Sequence, residues 1–383
     1  MGRIWRRRWL WPGLFCVGLV GAVLQRGANA QTGSQTATQT ATQAPAKTTT
    51  TAASKFVPLP DVAQPVRLRV ALADNPRIAP LTPSVASEVL EQTRKIVKTH
   101  FDLDIEFVPP VRLPLADLFE AIPSATRQIA EKRRLDATHQ AGAVWRLTAS
   151  LLKDMREAGH LAEQRQFALP HLLAPPRNGT DFALAGAIVE TQHALLKSWA
   201  DSKGRDGLPL LGADRFNEYT YWWALGDSPM PYDLILTNQL IASAEWQDNS
   251  VHSALRGGVS NGITTQSRHS TYQLYSVVSS FPFFDNSATT LKLRAGIVAE
   301  PAQAVTQMAV MVAHELGHLL LHLGHPFGNA ACVMTPPQRL EFQAWVAGLN
   351  ATKCQLGSNK ANTPGAVPFT AADLLFKNAA AVK

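Results

Sequence analysis

The stretch Val312–Pro337, VAHELGHLLLHLGHPFGNAACVMTPP, holds four of the chain's 11 histidines, His314, His318, His322 and His325. Such a concentration of imidazoles points to a metal. His314 and His318 frame Glu315 in the pattern His-Glu-x-x-His. On a helix, residues four apart differ by about 40° around the axis and about 6 Å along it, so these two imidazoles can converge on one cation. Zinc is the ion that a nitrogen-rich, non-redox arrangement selects. Glu315, one residue on from His314, can lie beside the metal without binding it. The implied chemistry is hydrolysis: a water whose pKa falls to about 7 on zinc gives its proton to Glu315, the general base, which passes it to the leaving amine.

Helix geometry points to the third ligand. If the helix continues through His322, that residue lies about 12 Å along the axis from His314, too far to share its metal. Gly324 suits the left-handed conformation that ends a helix, and Pro326 prevents the helix from resuming. His325, between these breakers, can swing back, which gives His314, His318 and His325 as ligands with water in the fourth position. A rival set takes Glu341, in QRLEFQAW, as the third ligand of a gluzincin-like His-His-Glu site.

Working outward, Pro301 opens an unbroken run, PAQAVTQMAVMVAHELGHLLLHL, so the motif is expected on a long helix ending at Gly324. At the start of the domain, PVRLRVALAD reads as a strand. SVASEVLEQTRKIVKTHF, with Val85, Val89, Ile96 and Val97 near helical spacing, reads as a helix, and DIEFV as a second strand. Residues from about 114 to 209 form a helical insertion, with helices in ATRQIAEKRRL, AVWRLTASLLKDMREAG and FALAGAIVETQHALLKSWA. YDLILTNQLIAS, GGVSNGITTQ and TYQLYSVVSSF are short, β-branched or aromatic, and separated by turn residues, as strands are. QRLEFQAWVAGL is an expected helix, and FTAADLLFKNAAA a short docked one capped by Thr370.

Residues 1–30 have an arginine-rich start, an apolar middle and small residues at Ala28 and Ala30, the pattern of a signal peptide. The apolar run from Trp9 to Leu24 contains Pro12 and is shorter than the ~20 residues a membrane span needs, so no stable span is expected after cleavage. Residues 31–55, rich in Thr, Gln and Ala, lack side chains able to build a core and read as a disordered linker. Residues 56–383 then form the catalytic domain. The formal charge is +7, and the signal's five arginines account for most of it, leaving +2 on the mature chain. Such a balance gives no support to nucleic-acid binding. Export to a secreted or periplasmic location makes Cys332 and Cys354, the two cysteines beyond the signal, expected disulfide partners.

HELGH, then Gly-His, then Cys-Val-Met resembles the zincin peptidases, and among them the metzincins, with the archaemetzincin-like members nearest in motif order. The resemblance covers roughly Pro65 to Asp104 and Tyr232 to Leu349. It implies an α+β fold: a twisted mixed sheet with an antiparallel edge strand, an active-site helix that binds zinc, and a methionine turn in which Met334 lies beneath the metal. It also implies a peptide or protein substrate, extended along the edge strand. Two features depart from the family pattern. Family spacing would put Gly at 321 and His at 324, where this chain has Leu321 and Gly324. Pro326 stands where a second, cysteine-rich zinc site would begin, so no second zinc is expected. A reading from another class, a non-catalytic zinc-binding envelope protein, is disfavoured by Glu315, since a pure binder has no use for a base there.

Overall fold

Period-two alternation in the buried strands builds a sheet with two covered faces. The computed structural model describes residues 64–133, 143–158, 161–210, 222, 224–229, 231–241, 258–260, 275–321, 323 and 330–351, all within the unit that spans residues 53–383. The expected signal peptide, linker and C-terminal FTAADLLFKNAAA helix lie outside these residues.

The strands β1 (Val66–Leu68) and β2 (Val70–Asp74) form one extended run broken at Arg69. The helix α1 (Pro83–Phe101) follows, capped by Thr82, whose hydroxyl accepts from the Val85 amide at 3.3 Å, with Pro83 opening the first turn. Next, β3 (Ile105–Phe107) and β4 (Val111–Pro114) return parallel to β1 and β2. Val66 pairs with Ile105 but Ala71 with Val111, so the returning strand carries one extra residue. Pro109 and Pro110, which have no amide proton to donate, occupy that break.

Between β4 and the next strand the chain is helical: α2 (Leu115–Glu120), α3 (Ser124–Arg133), α4 (Ala143–Ala158), α5 (Leu161–Ala168) and α6 (Asp181–Ser198). The strands β5 (Leu234–Thr237), β6 (Gly258–Ser260) and β7 (Ser276–Ser279) complete a five-stranded sheet of order β4-β2-β5-β7-β6. All its neighbours are parallel except β6, an antiparallel edge strand on β7. The chain ends its described part with α7 (Phe281–Phe284), α8 (Ala288–Leu293), α9 (Pro301–Leu321) and α10 (Phe342–Gly348).

Val70, Leu72, Leu234, Leu236 and Val278 point into the main core with α1 and α9. The alternate residues Ala71, Ala73, Ile235 and Val277 face a second core formed with Leu115, Leu118, Phe119, Trp222 and Tyr275. Burial on both faces is what a sheet of parallel strands requires. Leu151 and Met155 of α4 and Leu184 and Ile188 of α6 belong to the same continuous core as α9, so the insertion is packed into the body of the domain.

α9 is the central element. From Ala304 to Leu321 only Thr306 and Leu320 are less than buried. A helix apolar on all sides is a core helix. Among the described residues it alone is long and apolar enough to cross a bilayer, and 83% of that window is buried inside the protein. α1 lies against it. Thr93 Oγ1 donates to the Ala309 carbonyl at 3.3 Å, and eight residues further along both helices Phe101 meets Gly317. Equal steps in the same direction mean that the two helices run parallel.

The strand expected over YDLILTNQLIAS is confined to Leu234–Thr237. Beyond it, side-chain amides replace the ladder: Asn238 Nδ2 donates to the Asn75 and Ile78 carbonyls, each at 2.9 Å, and Asn75 Nδ2 donates to Gln239 Oε1 at 2.7 Å. β4 was not expected from the sequence, because VRLP between prolines carries no alternation signal.

Candidate metal centre

His314, Glu315 and His318 lie in the C-terminal half of α9 and are 3%, 5% and 7% exposed. Their placement follows from what surrounds the helix. Ser276, the first residue of β7, donates its hydroxyl to the Glu315 carbonyl at 3.2 Å, which fixes the helix over the sheet at the level of the motif.

The two imidazoles face each other, with His314 Nε2 and His318 Nε2 3.0 Å apart. Their other nitrogens are fully engaged. His314 Nδ1 lies 2.8 Å from the Val333 carbonyl and His318 Nδ1 2.5 Å from the Leu323 carbonyl. A carbonyl oxygen only accepts, so both Nδ1 atoms carry the proton, and in a neutral imidazole the lone pair is then on Nε2. Two Nε2 lone pairs 3.0 Å apart repel unless a proton or a cation lies between them. This is the tautomer and orientation that metal-bound histidines take, with the outer nitrogen donating to a carbonyl. Two nitrogens on a tetrahedral zinc at about 2.0–2.1 Å are about 3.3 Å apart, so the pair fits zinc after opening by about 0.3 Å.

The carbonyl that orients His314 belongs to a tight turn. The Thr335 amide donates to the Cys332 carbonyl at 2.9 Å, closing a turn over Val333 and Met334. Met334, 1% exposed, lies against α9 at Gly317. A Cβ on Gly317 would fall 2.4 Å from Met334 Sδ and 2.8 Å from Phe101 Cζ. Within HELGH, glycine at 317 thus permits the close approach of Met334 and Phe101, which would have to shift for any side chain there. Cys332 is 2% exposed in the same turn, and its expected partner Cys354 lies outside the described residues.

The helix was expected to end at Gly324; it is described to Leu321, and Leu323 already lies outside it. Leu323 turns back one step earlier: its amide donates to the Gly317 carbonyl at 3.3 Å while its own carbonyl takes the His318 proton. Burial of Leu323, 4% exposed, holds that reversal. His322 and His325, the two candidates for third ligand, lie outside the described residues. Among the described residues no group of three His, Cys, Asp or Glu side chains comes together as a metal site.

Glu341 is described, and it does not join the histidine pair. Its carboxylate is half exposed and sits 3.6 Å from His171 Nδ1, at the end of the insertion. Glu341 precedes α10, and its carboxylate is turned to His171 of the insertion.

Sequence reasoning missed the groups that orient the site. The Val333 and Leu323 carbonyls carry no sequence signature because every residue has one. Trp345, in α10, was read only as part of a helix, yet its indole Nε1 donates to the Thr335 carbonyl at 2.8 Å and its ring lies edge-on to His314 at 6.2 Å. His100, 9% exposed at the end of α1, is a further buried histidine, with an unpartnered Nδ1. Burial pushes its imidazole below the ordinary value.

No protein family, curated protein or solved structure matches the chain.

Proposed function

We propose that this chain is an exported zinc-dependent peptidase of metzincin-like design, acting on peptide or protein substrates in a secreted or periplasmic location. The observation that carries the proposal is the histidine pair of HELGH, with both Nδ1 atoms at carbonyls and the two Nε2 atoms 3.0 Å apart. His314 and His318 would hold the zinc, with His325 as third ligand. Zinc held there supplies Lewis-acid chemistry that brings a water to a pKa of about 7 and polarises a substrate carbonyl. Glu315, buried next to His314, takes the proton of the attacking water and delivers it to the leaving amine.

Three further features support the metzincin-like reading. The sheet carries an antiparallel edge strand, β6, beside β7, and β7 is fastened to the motif helix through Ser276. A turn containing Met334 packs against the motif helix at Gly317, between His314 and His318 in sequence. The order of strand, helix, strand, further strands and then the motif helix follows the same plan.

The test is hydrolysis of an unstructured protein such as casein, alongside metal analysis, for the natural chain and for Glu315→Gln. The expected result is zinc in both and cleavage in the natural chain alone. Zinc in the natural chain without cleavage favours the non-catalytic zinc-binding envelope protein. Loss of zinc in Glu315→Gln removes Glu315 from the role of base.

A further inference from the structure

The turn that orients His314 is held from the far side by α10, and one side chain does the holding. We infer that Trp345 is a positioning residue for the histidine pair. This rests on the zinc-site reading above and extends it to a residue outside the HELGH motif.

Two hydrogen bonds join α10 and its exit to the turn segment. The Trp345 indole donates to the Thr335 carbonyl at 2.8 Å, and the Asn350 amide donates to the Ala331 carbonyl at 2.9 Å. Between those anchors lies Val333, whose carbonyl accepts the His314 Nδ1 proton. Trp345 thus acts twice: its N–H fixes the turn, and its ring packs T-shaped against His314, with ring centroids 6.2 Å apart. The tryptophan is itself fixed. It is 8% exposed, and α10 is anchored by Phe342, whose ring packs on Phe283 at 4.5 Å. Groups that orient a metal-bound histidine set its tautomer and direction, and their loss weakens metal binding by about 10–100-fold.

Trp345→Phe keeps an aromatic ring and removes the donor. The expected result is a zinc Kd raised about 10-fold or more, together with an altered visible spectrum of the cobalt-substituted protein, which reads the geometry of the bound ion. Phe342→Leu, which loosens the same helix without touching the indole, serves as the control. It should lower the melting temperature and leave the zinc Kd within about twofold of the natural chain, well short of the 10-fold loss. If Trp345→Phe does not fold, the isostere 3-benzothienylalanine, which replaces the indole N–H with sulfur, removes the donor and keeps the shape. A folded Trp345 variant with unchanged zinc Kd and unchanged cobalt spectrum overturns the inference. Equal losses of zinc affinity in the Trp345 and Phe342 variants overturn it as well, since they would mark a general loosening. A natural chain that binds neither zinc nor cobalt fails at the earlier step and overturns the zinc-site reading with it.

Discussion

Alanine at Gly317 tests how closely the turn is packed against the motif helix. In an exposed helix the change is favourable by about 0.8–1 kcal/mol, because glycine loses more backbone freedom on folding. Here the new methyl would lie 2.4 Å from Met334 Sδ and 2.8 Å from Phe101 Cζ. Ordinary contact is about 3.5–4.0 Å, so sulfur must move by about 1 Å and the ring by somewhat less. Both neighbours are 1% exposed, with no surface to retreat to. Overpacking of this kind costs about 1–3 kcal/mol, which outweighs the gain in helix propensity at most of that range. Gly317→Ala is therefore expected to lose about 1 kcal/mol net in urea unfolding, read as a lower midpoint at unchanged slope. Repeating the change in a Met334→Ala background removes the closest contact. The penalty should shrink by about 1 kcal/mol, the coupling expected of residues in direct contact. The reasoning is refuted if Gly317→Ala is as stable as the natural chain or more so, because then helix propensity alone would govern the site.

Three other outcomes are expected. Cys332 and Cys354 should form a disulfide closing a loop of about twenty residues and worth about 3 kcal/mol; finding both cysteines alkylatable in unreduced, exported protein would rule it out. His100 is held below its ordinary value of 6.5 by burial, so the folded chain stays neutral there while the unfolded chain takes up a proton. Its contribution to stability is complete above that ordinary value and declines as pH falls below it, and His100→Leu should flatten this acid-side decline in unfolding midpoints measured across pH. Zinc affinity should drop by orders of magnitude in His325→Ala and change little in His322→Ala, and the reverse order in metal titrations would transfer the third ligand to His322.

The parts of the fold that the sequence declares are those where a local rule and the tertiary environment agree. Pro301 marks the start of α9 because proline is pre-shaped for a first helical turn, and the helix begins there. Thr82 and Pro83 similarly announce α1. Its end was less legible. Gly324 is the conspicuous stop signal, but the chain turns earlier because Leu323 is drawn into the core and its carbonyl takes the His318 proton, a tertiary demand with no local signature. YDLILTNQLIAS looks like one long strand by hydropathy, and only Asn238 and Gln239 could have warned that side-chain hydrogen bonds would replace the ladder after Thr237. β4 was invisible between its prolines. Within the site, the HELGH residues identify themselves by spacing. The contacts that aim them, the Val333 carbonyl and the Trp345 indole, arise from chain folding across nineteen and ten residues. Sequence could name Met334 only through a resemblance. Gly317 in fact held part of that answer, since a glycine inside a long helix asks for a close neighbour.

The most direct measurement is the zinc content of the mature chain and of its histidine variants, determined by mass spectrometry after purification without chelators. The account predicts one zinc ion per natural chain, none retained in His314→Ala or His318→Ala, and retention in Glu315→Gln. A correctly matured chain with both histidines intact that holds no zinc even after reconstitution would contradict it, and so would full zinc occupancy in His314→Ala.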